Sequence, residues 1–265
     1  MRRFLVLVFI LTSNFLFCQS LRFASLSPSI TEIFYEIGSE DSLIGVVTPD
    51  NHPQDALKKE IVGSFNYLNF EKIYALKIEE CLTIEGMQSN EDISRLKKMN
   101  VRVTIYKVEN LEEMYKMILD IGEKTGKSEV AKKEIDIFKE KIEILSRKIK
   151  KFKNGIFVAG LDPLVLVGRG SYLNDVMRKG GVLNVFENNP PSYFSPPLEF
   201  IIGKDIEIII VLKGEIEEKK ISTFTRTLKP FFKNLKIIKV DADCVARPSL
   251  KLIEAIDEIH QGVLN

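Results

Sequence analysis

The stretch SEVAKKEIDIFKEKIEILSRKIKKF, residues 128–152, decides how the chain is organised. Its apolar residues Ala131, Ile135, Phe138, Ile142, Leu145, Ile149 and Phe152 recur at spacings of four and three, with Lys and Glu filling most other positions. That period marks one face of an α-helix, and it predicts a single amphipathic helix over the whole stretch. At 1.5 Å per residue, about 25 residues make a rod of roughly 37 Å, longer than most lobes are wide. A rod with a lobe at each end implies a ligand cleft between them. A continuous helix also restrains the hinge motion that loop crossovers allow. Helices of this kind also build bundles and coiled coils, and the flanks decide against that, because they alternate short β-branched runs with helical patterns.

Before the rod, residues 22–26, 43–47, 61–63, 81–84 and 102–107 are short apolar runs of the kind that form buried parallel strands. Residues 29–37, 69–76, 90–99 and 110–125 carry helical periodicity, and several of these segments open on Ser or Asn, which favour helix starts. After it, strands are expected at 155–159, 164–167, 206–212 and 236–240, and helices at 171–179, 197–202, 223–232 and 249–260. The expected fold class is α/β: two α/β lobes with central, mostly parallel sheets joined by one long helix. The divisions are an export signal at 1–20, an N-terminal lobe at 21–127, the helix at 128–152 and a C-terminal lobe at 153–265.

A chain of 265 residues with 45% hydrophobic content is large enough for two lobes that each bury a core. Its 38 basic and 37 acidic side chains leave a formal net charge of +1, so no overall field favours nucleic acid or an anionic membrane. The opening MRRFLVLVFILTSNFLFCQS has two arginines and a short apolar core interrupted at Thr12, Ser13 and Asn14, which reads as a secretory signal and is too short for a membrane span. An exported protein is expected, periplasmic or at the cell surface. Cys18 is a candidate lipid anchor, although Phe17 stands where lipoprotein signals carry a small residue. Cys81 and Cys244 fall in different lobes, too far apart for a disulfide.

Ligands of open α/β sheets sit at the carboxyl ends of strands, and five loop-rich segments fall at strand ends or helix starts: 48–53, 63–69, 85–90, 168–172 and 187–197. They supply Phe65, Tyr67, Tyr193 and Phe194 as aromatic surfaces, with Asp50, His52 and Arg169 as sparse polar groups. Such a lining suits a large, mostly flat ligand with a few charged substituents. Catalytic constellations are absent: there is no GxSxG elbow, no phosphate-cradling GxxxxGK[ST], no HExxH and no CxxC. The GxG at 168–170 lacks its third glycine and reads as a turn. Of the two histidines, His260 reads as a solvated residue near a helix end. His52 either bonds its own backbone before Pro53 or serves as an axial ligand to a metal already held in a macrocycle. Glu71 and Glu199 occupy matching places in the two lobes, each in a first helical turn, where the helix dipole favours an acid.

Together these stretches resemble the substrate-binding proteins of ABC importers for cobalamin, haem and ferric siderophores, the class with one long interlobe helix. The resemblance rests on SLSPSITEIFYEIGSEDSLIGVVTPDNHP at 25–53, VGSFNYLNFEKIYALK at 62–77, GRGSYLNDVMRKGGVLNV at 168–185, SPPLEFIIGKDIEIIIV at 195–211 and VDADCVARPSLKLIEAI at 240–256, in the family's order. It implies a non-catalytic protein with no cofactor of its own. Such a protein captures a metal chelate, cobalamin first, and delivers it as a monomer to a permease dimer with its ATPase. Glu71 and Glu199 would dock onto permease arginines. A haem would recruit His52 or Tyr67, whereas an anionic siderophore would lean on Arg169 and Arg247; Arg247 otherwise forms a structural salt bridge. The chain departs from the family at Leu76-Lys77-Ile78-Glu79, where the usual motif is LKPD, and in having no Trp, which cobalamin binders carry in their aromatic loops. An α/β chelatase or nitrogenase-like reductase would need clustered His or Cys, and a binder of bare zinc or manganese would need more histidines.

Overall fold

A computed structural model describes residues 21–48, 53–64 and 66–265. The N-terminal lobe is a six-stranded sheet ordered β4-β3-β2-β1-β5-β6, with β1 Phe23–Ser25, β2 Leu43–Thr48, β3 Glu60–Ser64, β4 Tyr67–Leu68, β5 Glu80–Ile84 and β6 Arg102–Tyr106. All pairs are parallel except β3 with the edge strand β4. Strand alternation splits the apolar residues. Phe23 and Leu82 face one side, where α1 (Pro28–Glu36) and α4 (Leu111–Lys124) pack, while Ala24 and Cys81 face α2 (Phe70–Ala75) and α3 (Asn90–Lys98) on the other.

The interlobe helix α5 spans Ser128–Ser146, about 28 Å at the usual rise, and stops short of the expected end at 152. Its buried face is Ala131, Ile135, Phe138 and Ile142, the first four residues of the stripe. Beyond Arg147 the chain turns, with Lys148 N donating to Leu145 O and Ile149 N to Ser146 O. Ile149 then packs against Gly181, and Lys153 N donates to Gly181 O as the first step of the next sheet. Phe152 is left exposed. Helix α4 runs against α5 closely enough that a Cβ on Gly122 would lie 2.7 Å from that of Ala131, so the approach requires glycine.

The C-terminal lobe is mixed, with β7 Lys153–Leu161, β8 Leu164–Val167, β9 Val182–Asn184, β10 Tyr193–Phe194, β11 Ile208–Lys213 and β12 Lys236–Asp241. The order is β10-β8-β7-β11-β12, with β9 beside the start of β7; β8 is antiparallel to both β7 and β10. Helices α6 (Leu173–Lys179), α7 (Glu218–Leu228), α8 (Ala242–Val245) and α9 (Leu252–Leu264) complete it. Two expected helices differ. Residues 197–202 form a 3₁₀ turn at Leu198–Phe200, and the helix expected at 223–232 begins at Glu218 and gives way to a 3₁₀ turn, Lys229–Phe231, around Pro230.

The cores depart from the expectation of one per lobe. Each sheet has a private cluster on its outer side, but a third cluster joins Phe23, Phe34 and Leu82 through Phe138 and Ile142 of α5 to Phe157, Ile210 and Ile256 of the other lobe. His260, expected in solvent, is fully buried on α9, with neither ring nitrogen hydrogen-bonded among the described residues. Burial first, then the nearby Lys148 ammonium, hold its pKa below the ordinary histidine value. Cys81 and Cys244 are buried free thiols, pushed up to about 12, chiefly by burial.

Candidate functional site at the lobe seam

Helix α1 follows the central strand β1 and begins at Pro28, whose fixed φ suits a first helical turn. Every residue from Pro28 to Phe34 is buried, so Glu32 is a carboxylate inside an apolar run and requires partners there. They come from the opposite lobe. Glu32 Oε1 accepts from Arg247 Nη1 at 2.5 Å and Glu32 Oε2 from Ser249 Oγ at 2.7 Å. One turn on, Glu36 Oε2 accepts from Leu250 N at 3.3 Å. One further bond ties the seam on the side of α4 and α6. Asp175 Oδ2 of α6 accepts from Leu111 N, the first residue of α4, at 2.9 Å. The loop before α6 also faces Glu109, whose Oε1 lies 3.4 Å from where a Cβ on Gly170 would stand.

The remaining expected site residues lie on strand-end loops of the two lobes. On the N-terminal side, Tyr67 follows the β3–β4 turn and is 61% exposed, while its neighbour Leu68 is buried. The turn depends on Gly63, because a Cβ there would come within 2.3 Å of Tyr67 O. Asp50, His52 and Phe65 lie outside the described residues. On the C-terminal side, Gly168 fits between Asn189 O and Pro191 O, which a Cβ would approach to 2.3 and 2.5 Å, so the glycine pair there serves loop packing, as a turn should. Arg169 follows, exposed, held by its backbone N–H to Asn189 O at 2.6 Å and without an ion pair among the described residues.

Tyr193 and Phe194 are consecutive in β10, so their side chains take opposite faces. Phe194 turns inward, edge-on to Phe186 at 5.6 Å and to Phe200 at 6.1 Å between ring centroids. It belongs to the outer core of its lobe, which corrects its place among the cleft aromatics. Tyr193 is 45% exposed and lies near Tyr172, whose buried hydroxyl donates to Val245 O at 2.6 Å. Burial first, then Tyr193 and Glu32, hold the Tyr172 hydroxyl protonated well beyond its usual range. Arg247, expected to serve an anionic ligand, has its guanidinium committed to Glu32, the structural alternative.

The seam residues that sequence reading missed are Glu32, Glu36, Tyr172 and Ser249. The available signal was Glu32 itself, an acid in the middle of the buried face of PSITEIFYE. Among the described residues no three of His, Cys, Asp and Glu come together as a metal site. Glu71 has its side chain 82% exposed in the first turn of α2, with Asn69 capping the helix by accepting from Lys72 N. Arg95 stacks 4.0 Å over the Phe70 ring and reaches Glu71 only at 4.0 Å. Glu199 is also exposed, but on the short 3₁₀ turn, so the full helix dipole expected beneath it is absent.

A family model described as "Periplasmic binding protein" matches residues 23–237. The chain belongs to this family. Among curated relatives it is 27% identical over 255 residues to the ABC transporter substrate-binding lipoprotein YvrC of Bacillus subtilis, covering 91% of this chain and 79% of that one. It is 25% identical over 251 residues to a vitamin B12-binding protein of Photorhabdus laumondii, covering 94% and 90%. Among solved structures, the periplasmic vitamin B12 binding protein of Vibrio cholerae superposes with a TM-score of 0.77 at 20% identity, covering 92% of this chain and 96% of that one. The periplasmic haem binding protein HutB of the same organism superposes with a TM-score of 0.79 at 18% identity, covering 93% and 100%. The two α/β lobes joined by a single helix match the fold of these solved structures, as expected from the sequence.

Proposed function

We propose that this member of the periplasmic binding protein family is the exported substrate-binding component of an ABC importer and carries a metal chelate at the lobe seam, with cobalamin as the first candidate. The observation that carries the reading is the family match, which spans both lobes, together with Tyr67 and Tyr193, aromatic side chains left exposed on strands of opposite lobes. A flat ligand between such rings buries apolar area on both faces, and the exposed Arg169 offers a cation to an acidic substituent. Haem is the second reading, favoured by the accessible phenol of Tyr67, since phenolates are known axial ligands of haem iron. His52 is the other candidate ligand.

The 1–20 segment would direct export, with Cys18 as the candidate anchor, and the protein would work as a monomer. Glu71 and Glu199 would meet permease arginines, a two-point charged handle that registers both lobes over the translocation pathway. The test is an absorbance spectrum of the protein purified from its own host, followed by titration with cobalamin and with haemin. A corrinoid spectrum and cobalamin binding support the first reading, and a Soret band supports the second. A colourless protein that binds neither overturns both.

A further inference from the structure

Glu36 lies one helical turn beyond Glu32 on α1 and reaches across the same seam. Its Oε2 accepts from Leu250 N at 3.3 Å, with the Lys251 amide beside it. The pocket it occupies, about 450 Å³, is walled by α1, α5, the start of α9 with the segment leading into it, and Pro53 of the loop after β2. The charged groups facing Glu36 are Glu32 on its own helix, Glu134 on α5, and Lys251 and Glu254 around the start of α9. Arg247, the strongest cation nearby, is committed to Glu32. Among the described residues, three acids therefore surround Glu36, and the one cation lining its pocket is a lysine. We propose that Glu36 is the proton-gated element of an interlobe latch: protonated, it lets α1 close onto residues 247–251, and ionised, it slackens that closure and with it the grip of the lobes on one another.

The physical argument is that two carboxylates one turn apart on a helix cannot both ionise cheaply in a poorly solvated seam, and the arginine fixes which of them does. Glu32 takes the cation, and among the described residues Glu36 has only backbone donors. Burial raises its pKa most, the Leu250 amide opposes that, and Glu32 and Glu134 raise it further, to about 7. In a sprung-open seam the same carboxyl would titrate near the ordinary Glu value of about 4.3. The closed form thus binds the proton more tightly. The opening equilibrium rises with pH between those two values and levels off above about 7. The latch is firm in mildly acidic surroundings and loosest at and above neutrality.

The experiment is hydrogen exchange of the Leu250 and Lys251 amides in the full-length, ligand-free protein, corrected for intrinsic exchange, from about pH 5 to about pH 8. Opening should increase about fortyfold from pH 5 to pH 7 and no more than about twofold further by pH 8. Glu36→Gln, which keeps the shape of the protonated carboxyl, should hold these amides protected throughout. Glu134→Gln, on the outer helix, should keep the transition and move it to lower pH. A wild-type profile without a transition, or a Glu36→Gln profile with the same transition as wild type, would overturn the proposal. No ligand or permease enters the measurement, so its outcome is independent of the transport reading.

Discussion

Glu32 Oε1 and Arg247 Nη1 meet at 2.5 Å across the lobe seam, although 215 residues separate them in the chain, and their side chains are only 7% and 13% exposed. A buried pair of this kind adds little over an apolar replacement, but removing one partner strands the other charge. Arg247→Ala is expected to cost about 3 kcal/mol or more in urea unfolding, while the double change Glu32→Leu, Arg247→Met should recover most of that loss. Equal destabilisation by the single and double variants would show that the two residues do not act as a pair.

His260 makes the opposite prediction about acid. Its folded pKa is depressed below 6.5, so the unfolded chain binds the proton more readily. Its contribution to stability is complete above the unfolded value and is lost as pH falls toward the folded one. His260→Leu should raise the melting temperature by a few degrees, because an unpaired buried polar ring costs about 1 to 3 kcal/mol, and should flatten the melting curve's pH dependence just below 6.5. Melts at several pH values, compared between the two proteins, decide it.

Adjacent residues of β10 should separate binding from stability. Tyr193→Ala is expected to weaken chelate binding about tenfold with little change in melting, since its ring is exposed at the seam. Phe194→Ala should leave affinity nearly intact but cost about 2 kcal/mol or more, because it empties the edge-on cluster with Phe186 and Phe200. Calorimetry of binding and of unfolding on the same samples would expose the reverse pattern.

Glu71 and Glu199 should matter to transport alone. Both are exposed, and neither is buried in an ion pair among the described residues. The Glu71→Ala, Glu199→Ala double variant should lose no more than about 1 kcal/mol of stability and keep its ligand affinity. Uptake in a reconstituted importer should fall by at least about tenfold through loss of charge pairing. Intact uptake would remove these acids from the docking face.

The lobes should close only slightly on their ligand. Helix α5 has no internal Pro or Gly at which to kink, and its buried face sits in one apolar cluster shared by both lobes. Scattering profiles with and without ligand should nearly superimpose, and a marked fall in the radius of gyration on binding would contradict the shared core.

The element order was legible because each strand and helix is set by a local period that the residues themselves carry. Leu164–Val167 has the same bounds in sequence and structure, and Glu80–Ile84 and Asn90–Lys98 differ by one residue at one end. The family was legible for the same reason, since stretches such as 25–53 keep their order along the chain. Elements too short to show a period, β4, β9 and β10, escaped, as did the end of α5, which is set by Ile149 meeting Gly181 and by the entry of Lys153 into the sheet. The site divides in the same way. Exposure of Tyr67 and Tyr193 follows from strand alternation, but whether Tyr193 or Phe194 faces the seam depends on which side β10 presents when it pairs with β8. The commitment of Arg247 to Glu32, the isolation of Glu36 and the burial of His260 arise between segments far apart in the chain. Only the packing of one lobe on the other through α5, and of α9 on its own sheet, brings those groups together and removes water from them.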